Sequence, residues 1–273
     1  MKGKRYVKHD LYLIFLILFF VGTPAMAGIL KIETQTTVKN TGNQLEIKVV
    51  LVNAGTSVAH NLQVHLNVLG TVLDSALKPQ LDPGESSIVS FEKSAQELKS
   101  GRYPLTVFVD FHDGNQYPFS ALSGMTFSVG PGVNSDLAVH GKDVAMATNG
   151  KLSLDIKNIG ANPKKIVATL VLPKELSTPT PQLSFQMGPR SKKNIDFEIQ
   201  NFSALAGANY PVFCYFEYDK ADAHHTAVGM AVIKIIEPQN LFRRYRWLWI
   251  ALAVVLGIML LILMVRNRLQ SAG

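Results

Sequence analysis

One cysteine, Cys214, stands in a chain of 273 residues. A lone thiol excludes an internal disulfide framework and any zinc or iron–sulfur site built on clustered cysteines. Gly-x-Ser-x-Gly, His-Glu-x-x-His and a glycine-rich phosphate loop are also missing. No carboxylate pair stands out for glycoside chemistry, and the short acidic turns offer too few oxygens for calcium. Charged residues are sparse at 17% against 47% hydrophobic, a balance that excludes disorder. With 20 Gly and 13 Pro the chain is not collagen-like. These absences give the expectation of a protein that is not an enzyme, with no catalytic, cofactor-binding or metal-ligating residues.

The net charge of +7 suggests nucleic acid until it is located. Residues 1–27 carry +3, the five arginines of 243–268 carry +5, and everything between sums to −1. The basicity sits at the two ends, so a nucleic-acid partner is not expected.

Both ends read as membrane-directed. The stretch MKGKRYVKHD precedes the apolar run Leu11–Val21, Gly22-Thr23-Pro24 breaks it, and Ala25-Met26-Ala27 supplies a small-x-small cleavage pattern. A cleaved signal peptide over 1–27 is expected, the alternative being an uncleaved anchor helix. At the other end WLWIALAVVLGIMLLILMV, residues 247–265, holds no charge and no proline. Its 19 residues would span about 28 Å, near the hydrocarbon thickness of a bilayer. A transmembrane helix is expected there, with residues 266–273 as a short cytoplasmic tail. Arg243, Arg244 and Arg246 flank it, to contact lipid phosphates by snorkelling or an acidic partner at the membrane surface.

Between these ends the chain alternates with period two. Leu45, Ile47, Val49 and Leu51 interleave with Glu46 and Lys48, and Leu62, Val64, Leu66 and Val68 with Gln63, His65 and Asn67. Such alternation marks half-buried antiparallel strands, and Asn53-Ala54-Gly55, Asp82-Pro83-Gly84 and Asp113-Gly114-Asn115 supply the turns. The pattern recurs at offsets of 105 to 107. Asn53-Ala54-Gly55 matches Asn158-Ile159-Gly160, Phe91 matches Phe197, Tyr103-Pro104 matches Tyr210-Pro211, and Gly124-Met125 matches Gly229-Met230. The fold class expected is all-β: two tandem immunoglobulin-like antiparallel sandwiches, 28–130 and 133–238, joined near Gly130-Pro131-Gly132, plus the C-terminal helix.

The segments Val52-Asn53 to Asn61, Leu81 to Phe91 and Leu98 to Leu105 resemble bacterial and archaeal cell-surface β-sandwiches of the CARDB and NEW3 type. The resemblance implies an extracytoplasmic adhesion, spacer or interaction module and carries over no catalytic residue. The second repeat departs from the pattern at Arg190, opposite Gly84 of the first, and a different hairpin is expected there.

Candidate binding residues are few. Phe108, Tyr117, Phe119 and Tyr215 are the aromatics that strand alternation can send outward, to stack on a sugar or seed a protein interface, or else fill the core. His224-His225, after Asp219 and Asp222, read as a solvated hairpin tip or a weak metal site, and Asp110, His112 and Asp113 as the equivalent cluster. Cys214, in an aromatic strand, is expected to be buried. The whole reads as a single-pass protein of the cytoplasmic membrane with its domains in the periplasm or cell exterior. Its expected work is binding or scaffolding an envelope or membrane protein. A glycan-binding or adhesion module is the alternative, and a periplasmic assembly chaperone a further one.

Overall fold

A computed structural model describes residues 28–42, 44–96, 98–238 and 245–270, without the side chains of 253 and 260–270. The strands run β1 (Ile32–Thr41), β2 (Gln44–Asn53), β3 (Ala59–Val68), β4 (Thr71–Asp74), β5 (Lys78–Leu81), β6 (Ser86–Ser94), β7 (Gly101–His112) and β8 (Pro118–Val129). They continue with β9 (Leu137–Gly141), β10 (Val144–Met146), β11 (Asn149–Asn158), β12 (Lys164–Val171), β13 (Leu176–Ser177) and β14 (Gln182–Met187). After β15 (Lys192–Asn201), β16 (Asn209–Lys220) and β17 (Ala223–Ile235) comes one helix, α1 (Arg246–Gln270). The expected signal peptide and Arg243 and Arg244 lie outside the described residues.

The chain divides into two compact units. Unit 1 takes the described residues of Met1–Asn67, Thr71–Gln96 and Phe108–Ala121, and unit 2 takes Val68–Gly70, Glu97–Val107 and Leu122–Gly273. In unit 1 one sheet has the order β1-β2-β6, antiparallel throughout. A second layer holds β3 with β5 paired antiparallel to it, and β4 beside it. The alternation read from sequence is the one observed: Leu45, Ile47, Val49 and Leu51 are buried and Glu46 and Lys48 exposed. Leu62, Val64, Leu66 and Leu81 of the second layer are buried too, as are Phe91 of β6 and Val109 and Phe111 of the second half of β7. Fully burying each such side chain stabilises the fold by ~1.5–3 kcal/mol.

Unit 2 faces a four-stranded sheet, β13-β15-β11-β9, across an apolar core from β14-β12-β16-β17. Leu152, Leu154, Ile156 and Phe197 come from the first sheet, and Ile166, Ala168, Cys214, Phe216 and Ile233 from the second. The edge of the first sheet is short. β9 pairs with β11 for five residues, after which the chain crosses at Lys142-Asp143 and β10 pairs parallel to β17. Each unit is thus a sandwich of sheets about one apolar core.

Helix α1 begins at Arg246, and every described side chain in it is exposed, from Trp247 and Leu248 to Ile258 and Met259. Among the described residues no helix is long and apolar enough to cross a membrane. The spanning helix expected over 247–265 is therefore not carried by the described residues, which leave out the side chains of its second half.

Candidate interaction surface

Unit 1 ends, among the described residues, on an edge strand. Among the described residues β1 closes the sheet order on one side and pairs with β2 alone, from Ile32 opposite Asn53 to Thr41 opposite Gln44. Its ten residues, Ile-Glu-Thr-Gln-Thr-Thr-Val-Lys-Asn-Thr, contain no proline, and only Lys39 supplies the positive charge that usually guards an edge. Only Ile32 in it is buried. The outer backbone of a strand this long is a row of donors and acceptors able to pair with an added strand. Next to it the exposed face of β1, β2 and β6 holds a shallow groove of about 350 Å³ lined by Lys39, Glu46, Lys48 and Glu92.

In unit 2 a groove of about 540 Å³ lies over β9, β11 and β15, lined by His140, Asp155, Lys157, Lys192 and Asn194. Its carboxylate is engaged by neighbouring side chains. Asp155 is paired with Lys142 at 2.9 Å and accepts the Asn194 amide at 2.7 Å. Those two hydrogen bonds hold its carboxyl below the usual carboxylate range.

The aromatic candidates separate. Tyr117 is 40% exposed at the β7–β8 hairpin, while Phe108 and Phe119 are half-buried. Phe119 lies 5.9 Å from the buried Phe111, nearly parallel, and Tyr117 meets Phe119 edge-on at 63°. One exposed ring with its neighbour turned edge-on gives no flat platform. The hairpin turn is built by Asp113, whose Oδ1 accepts the N–H groups of Asn115 and Tyr117 at 2.8 Å each. Its positive φ falls on Gln116, at 64°. The loop is a three-residue one, with the left-handed residue after the turn.

Tyr215 corrects its expectation: it is 2% exposed. β16 is covered on both faces, so Val212 to Phe216 form an unbroken buried run and alternation does not apply. The Tyr215 hydroxyl donates to the Leu105 carbonyl at 2.8 Å and accepts from the Thr106 hydroxyl at 3.1 Å. Burial pushes its pKa up to about 12, against an opposing pull from the Thr106 hydrogen bond. Cys214 on the opposite face is buried in the core, and desolvation raises its thiol far above the ordinary range.

His224 and His225 stand in β17 and not at a solvated hairpin tip, and as neighbours on a strand they point to opposite faces. His224 is clamped between Asp219 at 2.8 Å and Glu217 at 3.2 Å and stacks on Tyr103 at 4.5 Å. The Glu217 hydrogen bond, and then that of Asp219, raise its pKa above 6.5 in spite of partial desolvation. His225 is buried, stacked 4.9 Å from Tyr218, with Nδ1 3.0 Å from the Asn134 carbonyl. Beside it Lys164, its side chain 3% exposed, pairs with Asp136 at 2.9 Å and lies over the Tyr218 ring at 4.6 Å. Lys220 joins Asp136 at 3.0 Å, and the two ammonium groups hold that carboxyl below 3.8.

The cluster expected at Asp110, His112 and Asp113 is replaced by another. Asp110 bonds His65 Nε2 at 3.0 Å, and Asp74 holds the other ring nitrogen at 2.7 Å. Asp110 was grouped in the sequence with its chain neighbours His112 and Asp113, and His65 read only as a polar member of an alternating strand, so their pairing had no local signal. Among the described residues no group of three or more His, Cys, Asp or Glu is placed to hold a metal ion. Arg246 lies over the Trp247 ring at 5.6 Å.

No curated protein matches the chain. Among solved structures it is similar to native alpha-2-macroglobulin of E. coli at 11% identity and TM-score 0.31, covering 76% of this chain and 17% of that one. Red sea bream transglutaminase is 12% identical with TM-score 0.26, over 84% of this chain and 34% of that one. A protein of unknown function from Porphyromonas gingivalis W83 is 11% identical with TM-score 0.30, over 76% of this chain and 99% of that one. The chain thus spans about a sixth and a third of the first two, and nothing about function follows from likenesses this distant. The β-sandwich motifs read from the sequence find a direct counterpart: residues 28–114 match the CARDB family.

Proposed function

We propose that the chain is a membrane-anchored, extracytoplasmic scaffolding protein, non-catalytic, that presents two tandem immunoglobulin-like sandwiches to other envelope proteins. Binding occurs by strand addition at β1. The observation that carries this reading is the ten-residue strand β1, at the edge of its sheet among the described residues, without proline and almost without lysine, within the segment matched to CARDB. The corresponding edge in unit 2 is cut to five residues by the crossing to β10. An edge left long in one unit and shortened in the other fits a docking site at the first.

The anchor reading is supported by α1, whose described side chains are apolar and exposed on all faces beyond Arg246. A helix apolar all round is stable when buried or in lipid. Duplication is supported by matched corners: Asn53 and Asn158 each donate to two backbone carbonyls and accept the N–H of the glycine two residues on.

The experiment is photo-crosslinking in cells from a benzophenone side chain at Gln35, with Thr37→Pro as the paired variant. The reading expects one defined envelope protein captured from β1 and lost when the proline blocks the ladder. Equal capture in the proline variant would remove strand addition, and recovery of glycan alone would leave the adhesion alternative in its place.

A further inference from the structure

Phe202 is 83% exposed, more than any other large apolar side chain described. It stands in the loop between β15 and β16, with Leu205 at 43%, and Ile236 at 43% follows β17 beside it. An exposed phenylalanine on a slack loop would mean little, but this loop is tightly built. The Asn201 amide donates to the carbonyls of Ala147 at 2.9 Å and Ala204 at 3.2 Å and accepts the Ala204 N–H at 2.7 Å. The N–H groups of Phe202 and Ser203 donate to the Glu175 carbonyl at 2.9 and 3.2 Å, and that of Leu205 to the Tyr210 hydroxyl at 3.1 Å. Gly207 donates to the Ile235 carbonyl at 2.7 Å and Ile235 to the Ala208 carbonyl at 3.0 Å, locking the loop to the end of β17. The fold holds three apolar side chains outward where hydration is unfavourable.

The place of the loop names its occupant. β17 ends at Ile235 and α1 starts at Arg246, so ten residues join them, reaching at most about 35 Å. Trp247 and Trp249 open the helix, the residue type that settles at the headgroup level of a bilayer. The other end of β17, at the Ala221-Asp222 turn, is twelve strand steps away, about 40 Å. The end of unit 2 that carries Phe202 is the end from which the apolar helix departs. We infer that Phe202, Leu205 and Ile236 form a membrane-contacting tip that enters the headgroup region of the bilayer holding α1 and so fixes how unit 2 stands on it. This rests on the anchor reading proposed above.

The test uses the full chain reconstituted into phosphatidylcholine–phosphatidylglycerol vesicles, with an environment-sensitive fluorophore at Ala206→Cys in the loop or at Asp222→Cys at the far turn. Unsubstituted protein, whose Cys214 is buried, serves as the labelling blank. The expected result is about threefold stronger quenching by doxyl lipids at 206 than at 222, as for a group ~5–10 Å into the interface, with shielding from iodide. Adding Phe202→Ser to the 206 variant is expected to abolish the difference. Co-flotation with equal quenching at the two positions overturns this inference and leaves the anchor intact. Failure of the full chain to co-float overturns both.

Discussion

Asn53 and Asn158 stand 105 residues apart and make the same three hydrogen bonds. Asn53 donates to Ser57 and Leu81 carbonyls at 2.8 and 2.9 Å, Asn158 to Asn162 and Gly188 carbonyls at 2.9 and 2.8 Å. Each Oδ1 accepts from a glycine N–H, Gly55 or Gly160, at 3.0 and 3.1 Å. Both side chains are fully buried. Truncation takes the side-chain partner from two carbonyls and one N–H in a part-buried corner. Asn53→Ala and Asn158→Ala are each expected to lower stability by ~2–4 kcal/mol. Urea denaturation of the two variants checks this, and a loss below about 1 kcal/mol in either would show that water replaces the amide.

Gly84 and Arg190 occupy matching turns with φ of 77° and 51°. The expectation that Arg190 marks a different hairpin is not met in backbone conformation, since both residues are left-handed. An L side chain pays ~1–2 kcal/mol for that conformation. Nothing lies within 4 Å of a Cβ built at Gly84, so space is not at issue there. Gly84→Ala should therefore cost ~1–2 kcal/mol, while Arg190→Gly should come out between neutral and ~1 kcal/mol stabilising. Thermal melts decide it, and a destabilised Arg190→Gly would mean that the arginine side chain holds the turn.

Strand positions were legible wherever one face met the core and the other water, as in β2, where Glu46 and Lys48 stay exposed between buried leucine, isoleucine and valine. The turns at Asn53-Ala54-Gly55 and Asp82-Pro83-Gly84 were legible because their residue types favour few backbone conformations. Tyr215 was not, because Leu105 and Thr106, over a hundred residues earlier, cover the face that alternation assigned to solvent. The unbroken run Val212-Phe213-Cys214-Tyr215-Phe216 was the available sign of two-sided burial. Pairings such as Lys164 with Asp136 and His65 with Asp110 depend on register between distant strands, which residue spacing does not encode. The edge position of β1 among the described residues is also a property of sheet order, which nothing in its ten residues announces.

His224 gives unit 2 a pH dependence of definite sign. It faces Glu217 and Asp219, with Lys99 paired to Asp219 at 3.1 Å and the Tyr103 ring stacked on its plane. Its folded pKa is raised from 6.5. The stabilisation is complete below the unfolded value and is lost as pH rises through the folded one. The melting temperature is therefore expected to fall as pH rises above the ordinary histidine value, and His224→Gln should flatten that slope. Asp136 works in the other direction: its pKa is lowered from 3.8, so its contribution is present above that value and disappears as pH falls through the folded one. Asp136→Asn should flatten the acid limb alone. Unchanged slopes in both variants would show that these ion pairs do not govern the profile.

Gly124 lies under the aromatic face of β16 and accounts for how Tyr215 is buried. A Cβ built there would sit 2.5 Å from the Tyr215 hydroxyl and 2.7 Å from Phe213 Cγ, closer than real contacts permit. Both rings are packed and Tyr215 is tied to Leu105 and Thr106, so they have little room to retreat. Gly124→Ala is expected to cost ~1–3 kcal/mol through overpacking, against about 1–2 kcal/mol for Tyr215→Phe, which keeps the ring but takes the partner from the Leu105 carbonyl and the Thr106 hydroxyl. The double variant tells whether the two share a cause. Removing the hydroxyl removes the closest clash, so the pair should cost less than the sum of the singles by ~0.5 kcal/mol or more. Strict additivity in chemical denaturation would mean that the Phe213 ring, and not the Tyr215 hydroxyl, is what a side chain at 124 displaces.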